Sequence, residues 1–206
     1  MLFDIKNIKY KVEDSIILNN LSFKVNEEQH LLILGPSGSG KTTIINLLSG
    51  LLKPSSGYIN FKNTKYSVLS ELQLDQLRSE NFGFIFQKLH LIEHLNVEQN
   101  IAIAKNKKNS LDINKLLDNL GLKGYNKMIV KNLSFGESQR VAVARGVVNN
   151  PKVIFADEPT SGLDDKNSNL VIKLIFDQVK KTGSTLIVSS HDQRIKKNFS
   201  KILEIK

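Results

Sequence analysis

Four apolar residues, Leu31 to Leu34, run without a break into Gly35–Pro36–Ser37–Gly38–Ser39–Gly40–Lys41–Thr42. A short apolar run suits a buried strand, and the residues from Lys41 onward have helical spacing. The pattern G-x-x-x-x-G-K-[ST] between a strand and a helix is that of a phosphate-binding loop. Its glycines let the backbone curl so that successive N–H groups face one anion, and the helix adds the positive end of its dipole. Lys41 is placed to reach the β- and γ-phosphates of a nucleotide, and the Thr42 hydroxyl to ligate Mg²⁺. The loop requires this strand–loop–helix context, which makes a chance match of the spacing rarer still.

The rest of the chain agrees. Apolar, β-branched runs predict strands over Phe3 to Ile8, Leu21 to Val25, Leu31 to Leu34, Tyr58 to Lys62, Phe82 to Phe86, Val153 to Phe155, Thr185 to Val188 and Lys201 to Ile205. Helices are predicted to begin near Lys41, Leu72, Val97, Asn114, Glu137, Asn167 and Asp192. Strands followed by helices imply an α/β fold with a parallel sheet flanked by helices. The first three strands, with no helix between them, suggest an antiparallel edge sheet. The segment from Lys88 to Asn132 is predicted to be a mostly helical inserted subdomain, so residues 1–206 form one domain.

Composition excludes several classes. With 206 residues, 40% hydrophobic and 24% charged, the chain can bury a core and is not disordered. It has no cysteine, hence no disulfide, thiolate nucleophile or cysteine metal site. No apolar run approaches the ~20 residues of a membrane span. Asp4 and Lys6 interrupt the opening apolar residues, so no signal segment is expected and the protein stays in the compartment where it is made. The net charge of +9 suits a polyanion or an anionic membrane face, or is simply a solvated surface. The densest cluster, Lys105 to Lys108, lacks interleaved aromatics, and no nucleic-acid partner is expected from it.

Val153–Ile154–Phe155–Ala156 ends in Asp157 and Glu158. Ligands of open parallel sheets bind outside the carboxyl ends of the strands, which puts these acids beside the phosphate loop. Asp157 is the candidate Mg²⁺ ligand and Glu158 the candidate base for an attacking water. A helix-capping acidic pair is the plainer alternative.

Leu133–Ser134–Phe135–Gly136–Glu137–Ser138–Gln139–Arg140 resembles the signature motif of ATP-binding-cassette ATPases, and the other family motifs follow in order along the whole chain. Gln87 resembles the Q-loop glutamine, Ser161–Gly162–Leu163–Asp164 the D-loop, and His191 the switch histidine. Tyr10 sits where the family places an adenine-stacking aromatic, although a half-buried strand residue is the alternative. The resemblance implies a P-loop ATPase core, with ATP and Mg²⁺ as its ligands. Gly35, Pro36, Ser37, Gly38, Ser39, Gly40, Lys41, Thr42, Thr43 and Tyr10 would bind the nucleotide. Thr42, Gln87 and Asp157 would attend the metal; Glu158, His191, Lys41 and Gln87 would act in catalysis. It also implies a head-to-tail homodimer, in which Ser134 and Gly136 meet the partner's γ-phosphate and Asp164 lies at the seam.

The signature departs from the family's usual L-S-G-G-Q at Phe135 and Glu137. Ser134–x–x–Glu137 matches a capping box, which would strengthen the helix whose N-terminus faces the γ-phosphate. A carboxylate there would also repel phosphate, and an active enzyme is the expectation. His90 and His94 have i, i+4 spacing but no cysteine to complete a site, so no metal is expected there. Lys88 to Leu95 lies where transporters of this family border the groove that receives the membrane subunit, or is ordinary packing.

What the resemblance implies is the ATP-hydrolysing subunit of a transporter, docked on an integral membrane subunit at the cytoplasmic face, without a covalent membrane anchor. Gly83 to Gln87 and Val97 to Ile101 are similar to the lipoprotein-release and macrolide-export branch, but the D-loop is not that branch's usual G-N-L-D, so an amino-acid importer ATPase stays open. The alternatives are a mechanical switch acting on a membrane protein, a soluble nucleic-acid machine, and a subunit that binds without hydrolysing. The short insertion and single cassette speak against the nucleic-acid machine, and Glu158 with His191 against the subunit that only binds.

Overall fold

The computed structural model describes residues 1–106 and 111–205; Lys107 and Lys108 of the basic cluster lie outside the described residues. Five parallel strands form the central sheet: β3 (Leu31–Leu34), β6 (Phe82–Ile85), β7 (Val153–Asp157), β8 (Thr185–Ser190) and β9 (Lys201–Glu204), in the order β6-β7-β8-β3-β9. All four residues of β3 are buried, as expected for a parallel strand covered on both faces.

Alternation along these strands divides the core. Leu32, Leu34, Ile154, Ala156, Leu186 and Val188 face α3 (Val97–Ala102), α4 (Ile113–Asn119), α5 (Phe135–Val147) and α6 (Asp165–Thr182). Leu31, Ile33, Val153, Phe155 and Ile187 face α1 (Lys41–Leu48) and a second sheet. That period of two is the side-chain period of a strand, and each fully buried Leu or Ile contributes about 1.5–3 kcal/mol.

The second sheet is antiparallel, in the order β2-β1-β4-β5, built from β1 (Phe3–Val12), β2 (Ser15–Val25), β4 (Ser56–Phe61) and β5 (Thr64–Lys65). The expectation that the first three strands form an edge sheet is corrected here: β3 pairs in parallel with β8 and β9, and β4 takes its place beside β1. The reason is burial, since β3 is apolar throughout whereas β1 and β2 alternate. β1 and β2 also run longer than expected, through register shifts near Asn7 and Tyr10.

The segment from Lys88 to Asn132 carries less helix than expected. Within it are α3, α4 and a 3₁₀ turn at Val130–Asn132, with irregular backbone between. Its apolar residues Val97, Ile101, Leu117 and Leu122 join the same core as α5 and the parallel sheet. The helix expected from Asp192 is a 3₁₀ helix, Gln193–Asn198. Between α1 and β6 lies α2 (Glu71–Asn81), closed at its N-terminus by a capping box of Ser70 and Gln73.

The packing of α5 on β6 depends on two glycines. A β-carbon at Gly83 would lie 1.9 Å from the carbonyl oxygen of Gly146, and one at Gly146 would lie 2.9 Å from that of Phe84. Any side chain at either position would push the helix off the sheet.

Candidate functional site

The loop between β3 and α1 closes over its own lysine. Gly38 (φ 82°) and Gly40 (φ 90°) adopt the left-handed conformation that only glycine takes freely, and Gly40 caps α1. Lys41, with a side chain 6% exposed, donates from Nζ to the Pro36 carbonyl at 2.8 Å and lies 3.3 Å from Glu158 Oε1. The buried Ser39 Oγ has no hydrogen-bond partner among the described residues. The loop therefore offers a lysine, a free hydroxyl and the N-terminus of α1 to an anion.

β8 lies between β7 and β3, so its end carries groups that touch both neighbours. Gly35 N–H donates to the Ser190 carbonyl at 3.3 Å, and Ser189 Oγ donates to Asp157 Oδ1. Thr42 Oγ1 donates to Asp157, 2.9 Å from Oδ2 and 3.2 Å from Oδ1. A hydroxyl and a carboxylate that close are hard oxygen donors of the kind Mg²⁺ takes together with substrate phosphates, and so they fit that ion.

Glu158, the residue after β7, lies in the left-handed region at φ 48°, a conformation costing a non-glycine residue about 1–2 kcal/mol. Its N–H is held by the Ser189 carbonyl at 3.0 Å. Its carboxylate takes partners other than the Thr42 and Ser189 hydroxyls that meet Asp157. Oε1 meets Lys41, while Oε2 lies 2.8 Å from His191 Nδ1 and accepts from the His191 N–H at 3.3 Å. The carboxylate is thus bracketed by the loop lysine and the candidate switch histidine.

Gln87 lies just beyond β6 and donates from Nε2 to Ser161 Oγ at 3.1 Å. Asp164 caps α6, accepting from Asn167 N–H at 2.8 Å. Behind it Arg194 pairs with Asp165 and with Asp192, Nε to Oδ1 at 2.7 Å, which holds the Asp192 carboxyl below its ordinary range. Tyr10 is half-buried on β1 opposite Leu18. The side chains of Ile17 and Leu18 close over Gly40, where a β-carbon would meet them at 3.2 and 3.1 Å. Ile17 was not among the residues expected at the site; its exposed position on a strand beside the loop is visible only in the fold.

Ser134 and Gly136 make no hydrogen bond to any of these residues. Ser134 caps α5 instead: its Oγ accepts from Glu137 N–H at 3.3 Å and donates to Glu137 Oε2 at 2.7 Å, and Oε2 also accepts from Ser134 N–H at 2.7 Å. The expected capping box is present. Tyr125, which sequence reasoning passed over, donates to Glu137 Oε1 at 2.7 Å. The Ser134 hydroxyl, the Tyr125 hydroxyl and the Ser134 amide together pull the Glu137 carboxyl down to about 2. Phe135, the other departure, is 59% exposed on the first turn of α5.

A family model described as ABC transporter matches residues 18–161, from β2 through the phosphate loop and the signature to Ser161. The chain belongs to the ABC transporter family. It is 38% identical to the lipoprotein-releasing system ATP-binding protein LolD of Wigglesworthia glossinidia brevipalpis, over 98% of this chain and 90% of that one. It is also 38% identical to an ABC transporter ATP-binding protein of Methanocaldococcus jannaschii, over 93% and 88%. Among solved structures, the ATP-binding cassette MJ0796, a dimer in a post-hydrolysis state with ADP and Pi, superposes with a TM-score of 0.84 at 30% identity, covering 100% of this chain and 94% of that one. The cassette cbiO1 of Clostridium perfringens, part of the cbiONQ complex, superposes with a TM-score of 0.87 at 29% identity, over 100% and 84%. The ABC cassette is thus of the ATP-binding, ATP-hydrolysing class, homologous along its length to transporter ATP-binding subunits. Among the described residues of the ABC cassette, no helix is long and apolar enough to cross a membrane.

Proposed function

We propose that this ABC cassette is the ATP-hydrolysing subunit of a transporter, pairing head to tail with a second copy on ATP binding and driving a separate integral membrane subunit from the cytoplasmic face. The observation that carries the reading is the bracketing of Glu158 between Lys41 and His191 at the carboxyl end of β7.

The chemistry assigned to each residue follows from its neighbours. The loop from Gly35 to Thr43 cradles the phosphates with backbone N–H groups, and Lys41 leaves the Pro36 carbonyl to neutralise them. Tyr10, with Ile17 beside it, supplies an apolar wall for the base. Thr42, Asp157 and Gln87 would hold Mg²⁺, which when bound offsets phosphate charge. Glu158 takes the proton of the attacking water. His191, on the far oxygen of Glu158, holds that carboxylate in place and senses the γ-phosphate. Ser134 and Gly136 act on the partner's ATP, with Asp164 at the seam. Residues 1–206 work as one nucleotide-binding domain with a helical subdomain at about 88–132.

The docking face for the membrane subunit is assigned to the groove of about 380 Å³ between α2, β6 and α5, lined by Arg78, Phe84, Phe86 and Arg145. Arg145 donates to the carbonyls of His90 and Leu89 at 2.6 and 2.5 Å, which fixes the segment after Gln87 along this groove. A partner seated there would press on Phe86, the residue before Gln87.

The test is capture with Glu158→Gln, which should bind ATP and stall as the closed dimer. Tagged and expressed in its own host, it should co-purify with one multi-span protein when membranes are solubilised with ATP. Ribosomes, DNA, or nothing from the membrane would overturn the docking reading and leave the ATPase assignment.

A further inference from the structure

The hydroxyl of Ser134 is already engaged. Its O–H donates to Glu137 Oε2 at 2.7 Å and its oxygen accepts from Glu137 N–H. If Ser134 is to donate to a γ-phosphate, as the reading above requires, that hydroxyl must leave the carboxylate. Glu137 then keeps the Ser134 N–H on Oε2 and the Tyr125 hydroxyl on Oε1. Without Tyr125 it would keep the amide alone, and a carboxylate so poorly satisfied beside an incoming phosphate is costly.

Tyr125 is built to stay. Its loop is tied to α3 by backbone bonds on its far side, Glu98 N–H to Asn126 carbonyl at 3.1 Å and Val97 N–H to Met128 carbonyl at 3.0 Å. Its own ends are turned by Tyr125 N–H to Leu122 carbonyl and Met128 N–H to Tyr125 carbonyl, at 3.1 and 2.9 Å. The ring packs against the core shared with α5. Arg140, one turn along α5, adds positive charge to the same carboxylate.

We propose that Tyr125 is a positioning residue for the signature motif: by holding Glu137 Oε1, it allows the Ser134 hydroxyl to transfer from Glu137 to the partner's γ-phosphate. The proposal rests on the reading of Ser134 as a phosphate contact in a closed dimer. It accounts for how a glutamate is tolerated where the family usually has glutamine. A glutamine is neutral, releases the serine more easily and needs no third donor.

The experiment is a double-mutant cycle in the full chain carrying Glu158→Gln, scored as the ATP concentration for half-maximal dimerisation in sedimentation. Tyr125→Phe keeps the ring and removes only the hydroxyl, and it should raise that concentration about threefold to tenfold, as for part of a charge-assisted hydrogen bond. With Glu137→Gln also present, the same change should shift it less than about twofold, because the charge that needed the hydroxyl is gone. No shift in the first pair, or an equal shift in both, overturns the proposal. Loss of fold alone would give that equal shift. Ser134→Ala, run in parallel, separates the two layers. If it leaves ATP-dependent dimerisation intact, or if the Glu158→Gln chain never dimerises, the signature reading itself falls; if it weakens dimerisation while Tyr125→Phe does not, only the role of Tyr125 falls.

Discussion

Lys41 and Glu158 stand 3.3 Å apart, one opening the helix after β3 and the other following β7, with β8 between the two strands. Neither is well solvated, at 6% and 12% exposure. Their pairing satisfies two charges that would otherwise be buried alone. A nucleotide entering the loop must compete for the lysine, and in doing so it frees the carboxylate.

Replacing Glu158 with glutamine keeps the shape of this arrangement and removes the proposed base. ATP hydrolysis should fall by about 10²- to 10⁴-fold, the usual contribution of a positioned base. ATP affinity should hold or tighten, since Lys41 loses its competing partner. Phosphate release in single turnover, with parallel nucleotide titration, checks both arms.

Tyr10 is assigned to the base of the nucleotide. Stacking of this kind contributes ~1–3 kcal/mol, so Tyr10→Ala should raise the nucleotide dissociation constant about tenfold to hundredfold while turnover at saturating ATP persists. An unchanged constant would return Tyr10 to the role of a strand residue paired across from Leu18.

Glu137 should mark the acid limb of stability. Its carboxyl is held from an ordinary 4.5 down to about 2 by the Ser134 hydroxyl first and the Tyr125 hydroxyl second. The unfolded chain takes up that proton near 4.5 and the folded chain does not, so the stabilisation is complete above this range and drains away as pH falls toward 2. Wild type should therefore exceed Glu137→Gln in urea midpoint at about pH 6, and the gap should narrow by about pH 3.5. The same substitution should change the ATPase rate less than about tenfold, since glutamine can still cap α5.

Gly83 has no room for a methyl group. Gly83→Ala drives a carbon into the Gly146 carbonyl, which stands 1.9 Å from where it would sit. The cost should be about 1–3 kcal/mol or more, as for other overpacked cores, and thermal unfolding should fall by several degrees.

The phosphate loop was legible because its residues are contiguous and their spacing is fixed by one anion. The position of Asp157 and Glu158 beside the loop was legible because both follow the apolar run of a strand whose carboxyl end faces it. The capping box of Ser134 and Glu137 could be read locally as well. Assignment of β3 to the parallel sheet could not, because proximity in sequence favoured β1 and β2 and only pairing with β8 and β9 decided it. The length of β2 was hidden by Asn19 and Asn20, polar residues that a strand tolerates on an exposed face. Tyr125 was invisible for a different reason. It lies in a loop with no periodicity, and its partner is reached only after the chain has turned back on itself.

The close seat of α5 on β6 also limits how the signature can move. With a carbonyl of the helix occupying the space of a missing side chain at Gly83, helix and edge strand share one point of bearing. Lifting α5 away here would strip apolar cover from β6, because Gly146 is seated against Phe84 and Ile85. If Ser134 meets a nucleotide as proposed, its displacement would pass through this seat to the strand that leads to Gln87.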